Sequence, residues 1–155
     1  MIEVVITILV IALVAAYAIP KLLGPRDSAN DGTAKTTLRA ALTAAETVYA
    51  QGQSYVGLTA TTLPQLEPSI TANAPAVAAD FPIGPTANPK RVSVVGTTDA
   101  ANLRLCSASK SGAVFCVHLT PNNPTEYYTY PKGDAATTFA NISATTGVTP
   151  STDGF

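Results

Sequence analysis

Between Val4 and Pro20 the chain runs for 17 residues without a charge, VVITILVIALVAAYAIP, directly behind a lone carboxylate, Glu3. As a helix this run spans about 26 Å at about 1.5 Å per residue. That approaches the roughly 30 Å hydrocarbon core of a bilayer, and Leu22 and Leu23 extend it. Three readings compete. A cleaved signal peptide has a basic start and a shorter apolar run, and no Lys or Arg precedes this one. An ordinary membrane anchor fits the length but leaves Glu3 without a role. The third reading is an anchor that later becomes the core of a polymer.

Glu3 separates them. A carboxylate deep in an insertion segment costs on the order of 2.5–3.5 kcal/mol, so it calls for a partner, and the nearest natural one is an α-ammonium group. Within one helix that amine lies too close along the axis. Between neighbouring helices offset by a short axial step the pairing is natural. Glu3 then sets the stagger, because a wrongly docked subunit leaves a charge unpaired in apolar surroundings. The bland alternative is a carboxylate at the lipid–water boundary, favoured by the helix macrodipole.

The rest of the chain has a different character. Hydrophobic residues make up 46% and mean hydropathy is +0.24, yet only 12% of residues are charged, against about 25% in an ordinary soluble domain. The apolar excess sits in residues 1–23. Residues 24–155 are polar and rich in Ala, Thr, Ser, Pro and Gly. The 155 residues allow one globular domain plus an appendage. A net charge of −1 gives no general reason to expect a nucleic-acid or anionic-membrane surface.

Pro20 removes a backbone donor and predicts a kink or interruption, and Gly24-Pro25 predicts a second break that can end the first helix. Residues 27–32 read as a polar connection or a weak helical stretch. From Thr33 to Gln51 helical periodicity returns, with Ala34, Leu38, Ala41, Leu42, Ala45, Val48 and Tyr49 on one stripe and Gly52 as the stop. Residues 53–89 read as a long loop packed on the head through Leu63, Leu66, Ile70, Val77, Phe81 and Ile83. Strands are expected at Lys90–Val95, Leu103–Ser109, Ala113–Leu119 and Thr125–Tyr130. The second and third are joined by a hairpin at Lys110-Ser111-Gly112. Pairing around Ser111 sets Cys106 opposite Cys116, which permits a cross-strand disulfide and hence an oxidising compartment. Two buried free thiols are the alternative. Two cysteines alone do not supply a four-ligand zinc site.

The expected fold is α+β. A long N-terminal helix, kinked or interrupted near Pro20–Pro25, lays its C-terminal half on a three- or four-stranded antiparallel sheet. The chain divides into three units: an apolar helix over 1–23, a linker and amphipathic helix over 24–52, and a head over 53–155. The tail 133–155 has Phe139, Ile142 and Val148 as anchors. Asn141-Ile142-Ser143 fits the N-glycosylation pattern, which chance often produces.

The run Met1-Ile2-Glu3-Val4-Val5-Ile6-Thr7-Ile8-Leu9-Val10, closing at Ile19-Pro20, resembles the N-terminus of mature type IV pilins and pseudopilins. Their pattern is Phe-Thr-Leu-Ile-Glu, an apolar run, and a Pro about as far from the Glu as Pro20 is from Glu3. The likeness is specific over residues 1–23 and weaker to Tyr49. It implies an assembly role for Glu3 and Pro20, and a local melting of the helix before Pro20. Ala12 stands where the family often has the glycine that starts that stretch, so the resemblance does not fix how far the melting extends. The family's Glu is fifth, whereas here it is third. The resemblance therefore implies that a Phe-Thr pair precedes Met1, and before it a basic leader that a prepilin peptidase removes while methylating the new amine. Such a leader also restores the export orientation that Lys21 and Arg26 alone would oppose.

No Gly-rich phosphate loop, paired catalytic carboxylates or nucleophile elbow is present, so no enzymatic activity, cofactor or metal is expected. His118 reads as a half-buried strand residue. Lys90, Arg91, Arg104, Lys110 and Lys132 are scattered in sequence. They could meet DNA phosphates if the fold gathered them, but the pattern reads first as a solvated surface. The resemblance implies a pilus subunit that resides in the inner membrane, is handed to an assembly machinery, and joins identical copies in an extracellular helical filament. Adhesion, motility and DNA uptake are the roles such filaments serve. A pseudopilin of a secretion system, a minor pilin and a membrane-anchored binding module are the alternatives.

Overall fold

A computed structural model of the protein describes residues 2–75, 80–95, 102–133, 142 and 149–155, excluding the side chains of 17–24. Val77, Phe139, Val148 and the Asn141 and Ser143 of the glycosylation pattern lie outside the described residues. One helix, α1, runs from Ile2 to Gly52, about 76 Å at about 1.5 Å per residue. The expected break at Gly24-Pro25 is not there, and of the two readings of residues 27–32 the helical one is observed: the helical backbone continues through both. An interior proline costs about 3 kcal/mol, and the C-terminal half of α1 is held by enough tertiary burial to absorb that loss. Thr33, Thr36, Thr37, Thr43 and Thr47 also return their hydroxyls to carbonyls three or four residues back, for example Thr37 Oγ1 to Thr33 O at 2.9 Å. Such back-bonding satisfies a polar side chain within the helix.

The helix ends one residue later than glycine chemistry suggests. The left-handed residue is Gln53, φ 51°, whose N–H donates to Tyr49 O at 2.7 Å. This is the 5→1 closure that terminates helices, made here by a residue that has a Cβ.

The sheet has five strands and is mixed, in the order β1 Thr71–Asn73, β2 Arg91–Val95, β3 Leu103–Ala108, β4 Val114–Leu119 and β5 Glu126–Tyr130. The four expected strands form an antiparallel meander. The fifth, β1, pairs in parallel with β2 through Thr71↔Arg91 and Asn73↔Ser93. Three residues carry no readable alternation, so this strand exists because the loop 53–89 brings it beside β2. A short helix, α2 (Leu63–Leu66), lies in the same loop. Tyr55, Leu58, Leu63, Ile70 and Phe81 of that loop are buried, whereas Leu66 is exposed.

Period-two alternation gives the sheet two faces, and both are covered. Val92, Val94, Leu103, Leu105, Phe115, Val117 and Leu119 meet Ala34, Leu38, Ala41 and Ala45 of α1 in one core. Leu42, Val48 and Tyr49 pack at its margin, with Tyr49 stacked on Tyr55 at 4.8 Å. Alanine at three of the four fully buried helix positions lets α1 approach the sheet closely, which leaves Leu38 as the one large plug. Leu38→Ala is expected to destabilise the head by about 2–5 kcal/mol, the range for a leucine truncated in a packed core. Denaturant unfolding measures it, and a change under about 1 kcal/mol would mean the site collapses around the gap.

The opposite face carries Cys106, Cys116, Val114, Tyr128 and Tyr130 under Phe81, Ala87 and Ile142. Cys106 stands opposite Cys116 in the register and the two form a disulfide. The β3–β4 hairpin turns at Gly112, φ 98°, with Gly112 N–H donating to Ser109 O at 3.1 Å. That conformation favours glycine. Ser111 at the hairpin tip donates to Asp31 Oδ1 at 2.5 Å and fixes the hairpin at the start of the packed half of α1.

Candidate functional site

Residues 2–16 of α1 are exposed on every side. Exposure of its large apolar residues runs from 76% at Ile2 to 54% at Val10, and among the described residues outside this stretch only Val56, at 60%, and Leu66, at 49%, are comparably uncovered. A helix that is apolar all round is normally a buried one. Covering one such side chain stabilises by about 1.5–3 kcal/mol, so the ten between Ile2 and Val14 hold a large unmet driving force. Thr7, the polar residue within this stretch, donates its hydroxyl to Val4 O at 2.8 Å and Glu3 O at 3.1 Å. It therefore needs no outside partner.

Glu3 is exposed near the start of this rod, and among the described residues no cation of the same chain lies within ion-pair range of it. Pro20 lies within the helical backbone of α1, and its side chain is outside the described residues. Among the described residues no helix is long and apolar enough to cross a membrane. The expected run of 17 residues continues past Ala16 into positions whose side chains are not described.

The sheet face away from α1 carries a polar cluster that includes titratable groups. Arg104, His118 and Glu126 stand side by side on β3, β4 and β5. His118 Nδ1 lies 3.2 Å from Glu126 Oε2, and the Tyr128 hydroxyl donates to the same oxygen at 2.9 Å. Arg104 Nη1 donates to Ile142 O at 3.1 Å and ties the later chain to the sheet. His118 Nε2 is buried and makes no hydrogen bond. A histidine beside a carboxylate suggests a base with its orienting partner, but the sulfurs lining the same small cavity, those of Cys106 and Cys116, are joined to each other. They offer no nucleophile. Among the described residues no group of three or more His, Cys, Asp or Glu is placed to hold a metal ion.

The Tyr128 hydrogen bond holds the Glu126 carboxyl below its ordinary range, with the neighbouring His118 adding to the effect and burial opposing it. Burial, then the Glu126 bond, pushes Tyr128 up to about 12 from 10.0. The neutral phenol is the favoured folded form. The stabilisation it provides is therefore complete below pH 10 and is lost as pH rises through about 12. Following phenolate absorbance, Tyr128 is expected to ionise late, near pH 12, and Tyr128→Phe should remove that late step. A titration unchanged in the variant would refute the assignment.

The basic residues that are scattered in sequence are partly gathered by the fold. Lys90 and Lys110 line one groove with Thr33 of α1. Lys132 runs alongside the hairpin, with Cγ 2.7 Å from where a Cβ on Gly112 would stand. Arg104 is turned to the His118–Glu126 cluster. Sequence reasoning also missed the closure of the β5 edge. There Ser151 exchanges two backbone bonds with Tyr127, at 2.8 and 2.9 Å, and Phe155 packs edge-on against Phe115 and Tyr127. A single bridge pair in a Thr/Ser-rich tail has no pattern to announce it.

The chain matches no protein-family model, no curated protein and no solved structure.

Proposed function

We propose that this chain is a structural subunit of a type IV pilus-like filament, polymerising through residues 2–20 of α1 and displaying the disulfide-bonded head outside. The observation that carries the reading is the uncovered apolar rod: ten large aliphatic side chains more than half exposed on a helix whose other half is seated on a sheet. Copies of the same rod are the natural cover, because they bury this surface and bring a second terminus to Glu3. The contact is heterologous and does not close, so it propagates as a helix. Before assembly the rod resides in the inner membrane, where lipid plays the part that neighbouring rods later take. A prepilin peptidase exposes the amine that pairs with Glu3, and the assembly machinery moves the subunit from one apolar setting to the other. The chain acts by packing and performs no catalysis. Adhesion, motility, DNA uptake and the push of a secretion pseudopilus are uses of the same polymer.

Electron microscopy of fibres sheared from producing cells, with N-terminal sequencing of their subunit, tests the reading. Fibres built from this chain are expected, with an amino-terminal sequence that reads through Ile2-Glu3-Val4. A purified chain that stays monomeric after removal from detergent would overturn it.

A further inference from the structure

The formal charge of −1 conceals a segregation. The Ser111–Asp31 bond sets the tip of the β3–β4 hairpin level with Asp31, five residues beyond Arg26 on α1. Lys110 precedes that tip, Lys90 shares its groove with Thr33, and Lys132 lies along it. Arg26, Lys90, Lys110 and Lys132 are all exposed. They form a basic collar on the sheet side of the turns of α1 where the apolar rod enters the head. Two carboxylates share these turns: Asp27 is exposed, and Asp31 is engaged by Ser111. Glu46, Glu67 and Glu126 lie toward the other end of the sheet.

We infer that this collar is a docking surface for anionic lipid headgroups, seating the head on the membrane while the rod is inserted. The inference rests on the membrane-resident stage of the proposed filament subunit. Its support is the coincidence of two features, a group of exposed cations and the root of an uncovered apolar helix, because basic residues next to a membrane-inserted segment are drawn to an anionic leaflet. The spacing agrees. From Leu23 to Asp31 is eight residues, about 12 Å of helix. A headgroup layer of about 6 Å and a Debye length of about 8 Å cover that distance. Nucleic acid would meet the same cations, but it gives no reason for them to lie at the root of the rod.

The test is partition of the full chain, delivered from dilute detergent, into vesicles of phosphatidylcholine alone or with about 30% phosphatidylglycerol. Each lysine near an anionic surface is expected to add roughly fivefold, so the anionic-to-neutral ratio should fall about a hundredfold in the triple variant Lys90→Gln, Lys110→Gln, Lys132→Gln. Molar salt should erase the wild-type preference. Partition into neutral vesicles should not change in the variant, and it doubles as the control for folding. A wild-type ratio near one, or a ratio that salt or the variant leaves unchanged, overturns the collar while leaving the filament reading intact. Binding of duplex DNA that the variant loses, without any lipid preference, also overturns it. No partition into either vesicle removes the membrane stage and the collar with it.

Discussion

Glu3→Ala is expected to abolish fibres while leaving the head folded. The carboxylate lies on an apolar rod, and no described cation of its own chain pairs with it. In a bundle of identical rods it can be tolerated only if an adjoining copy supplies the counter-charge, since an unpaired carboxylate there costs on the order of 2.5–3.5 kcal/mol. Removing it strands the opposing ammonium, and breaking a buried pair typically costs about 3–5 kcal/mol. At each contact that corresponds to a drop of about a hundredfold or more in association. Because every subunit repeats the contact, the loss compounds along the polymer. Sheared-fibre yield measured by electron microscopy reads the effect, and thermal melting of the head serves as the control. Fibres at normal yield and stagger would show that the carboxylate has no part in registration. Glu3→Gln is the sharper variant: it keeps the shape and hydrogen-bonding capacity, so survival of fibres in Gln but not Ala would point to packing instead of charge.

The second large effect is expected from the disulfide. Replacing Cys106 and Cys116 together by alanine should lower head stability by about 3 kcal/mol, the loop-closure value for a short loop, here with a sequence separation of 10. In a chain of this size that shifts the melting midpoint by about 10 °C. Both sulfurs lie among Phe81, Tyr128, Tyr130 and Ile142, so truncation also opens space on the outer face of the sheet. Reductant on the wild type should reproduce much of the shift. The unreduced protein should weigh two hydrogens less than the dithiol form, and a dithiol mass from fibres would refute the bond. Fibre formation should survive at low temperature, because the rod does not contact the bond. The two predictions thereby separate assembly, carried by α1 up to Pro20, from durability of the head.

Several features were legible because their signals are local. β-branched, aliphatic and aromatic residues in short runs placed β2 to β5 to within a residue or so, and the run Lys110-Ser111-Gly112 placed the hairpin. With that hairpin came the pairing of Cys106 and Cys116. The stripe from Ala34 to Ala45 predicted the buried face of α1. The continuity of α1 was misread because local rules count the donor missing at Pro25, whereas the helix is held by what its other half packs against. The parallel strand β1 and the Ser151 bridge have too few residues for any period to show.

A rod without charges, a carboxylate at its head, a helical stripe and a meander with opposed cysteines are all written in the order of residues. Each of these is a matter of spacing along the chain, and spacing survives without a fold. Tertiary packing was needed to settle that residues 24–32 stay helical, that both sheet faces are covered, and that Lys90 and Lys110 share a groove with Thr33 while Lys132 lies along the hairpin. These are contacts between segments far apart in sequence. They arise from which surfaces the core brings together, and no local preference contains them.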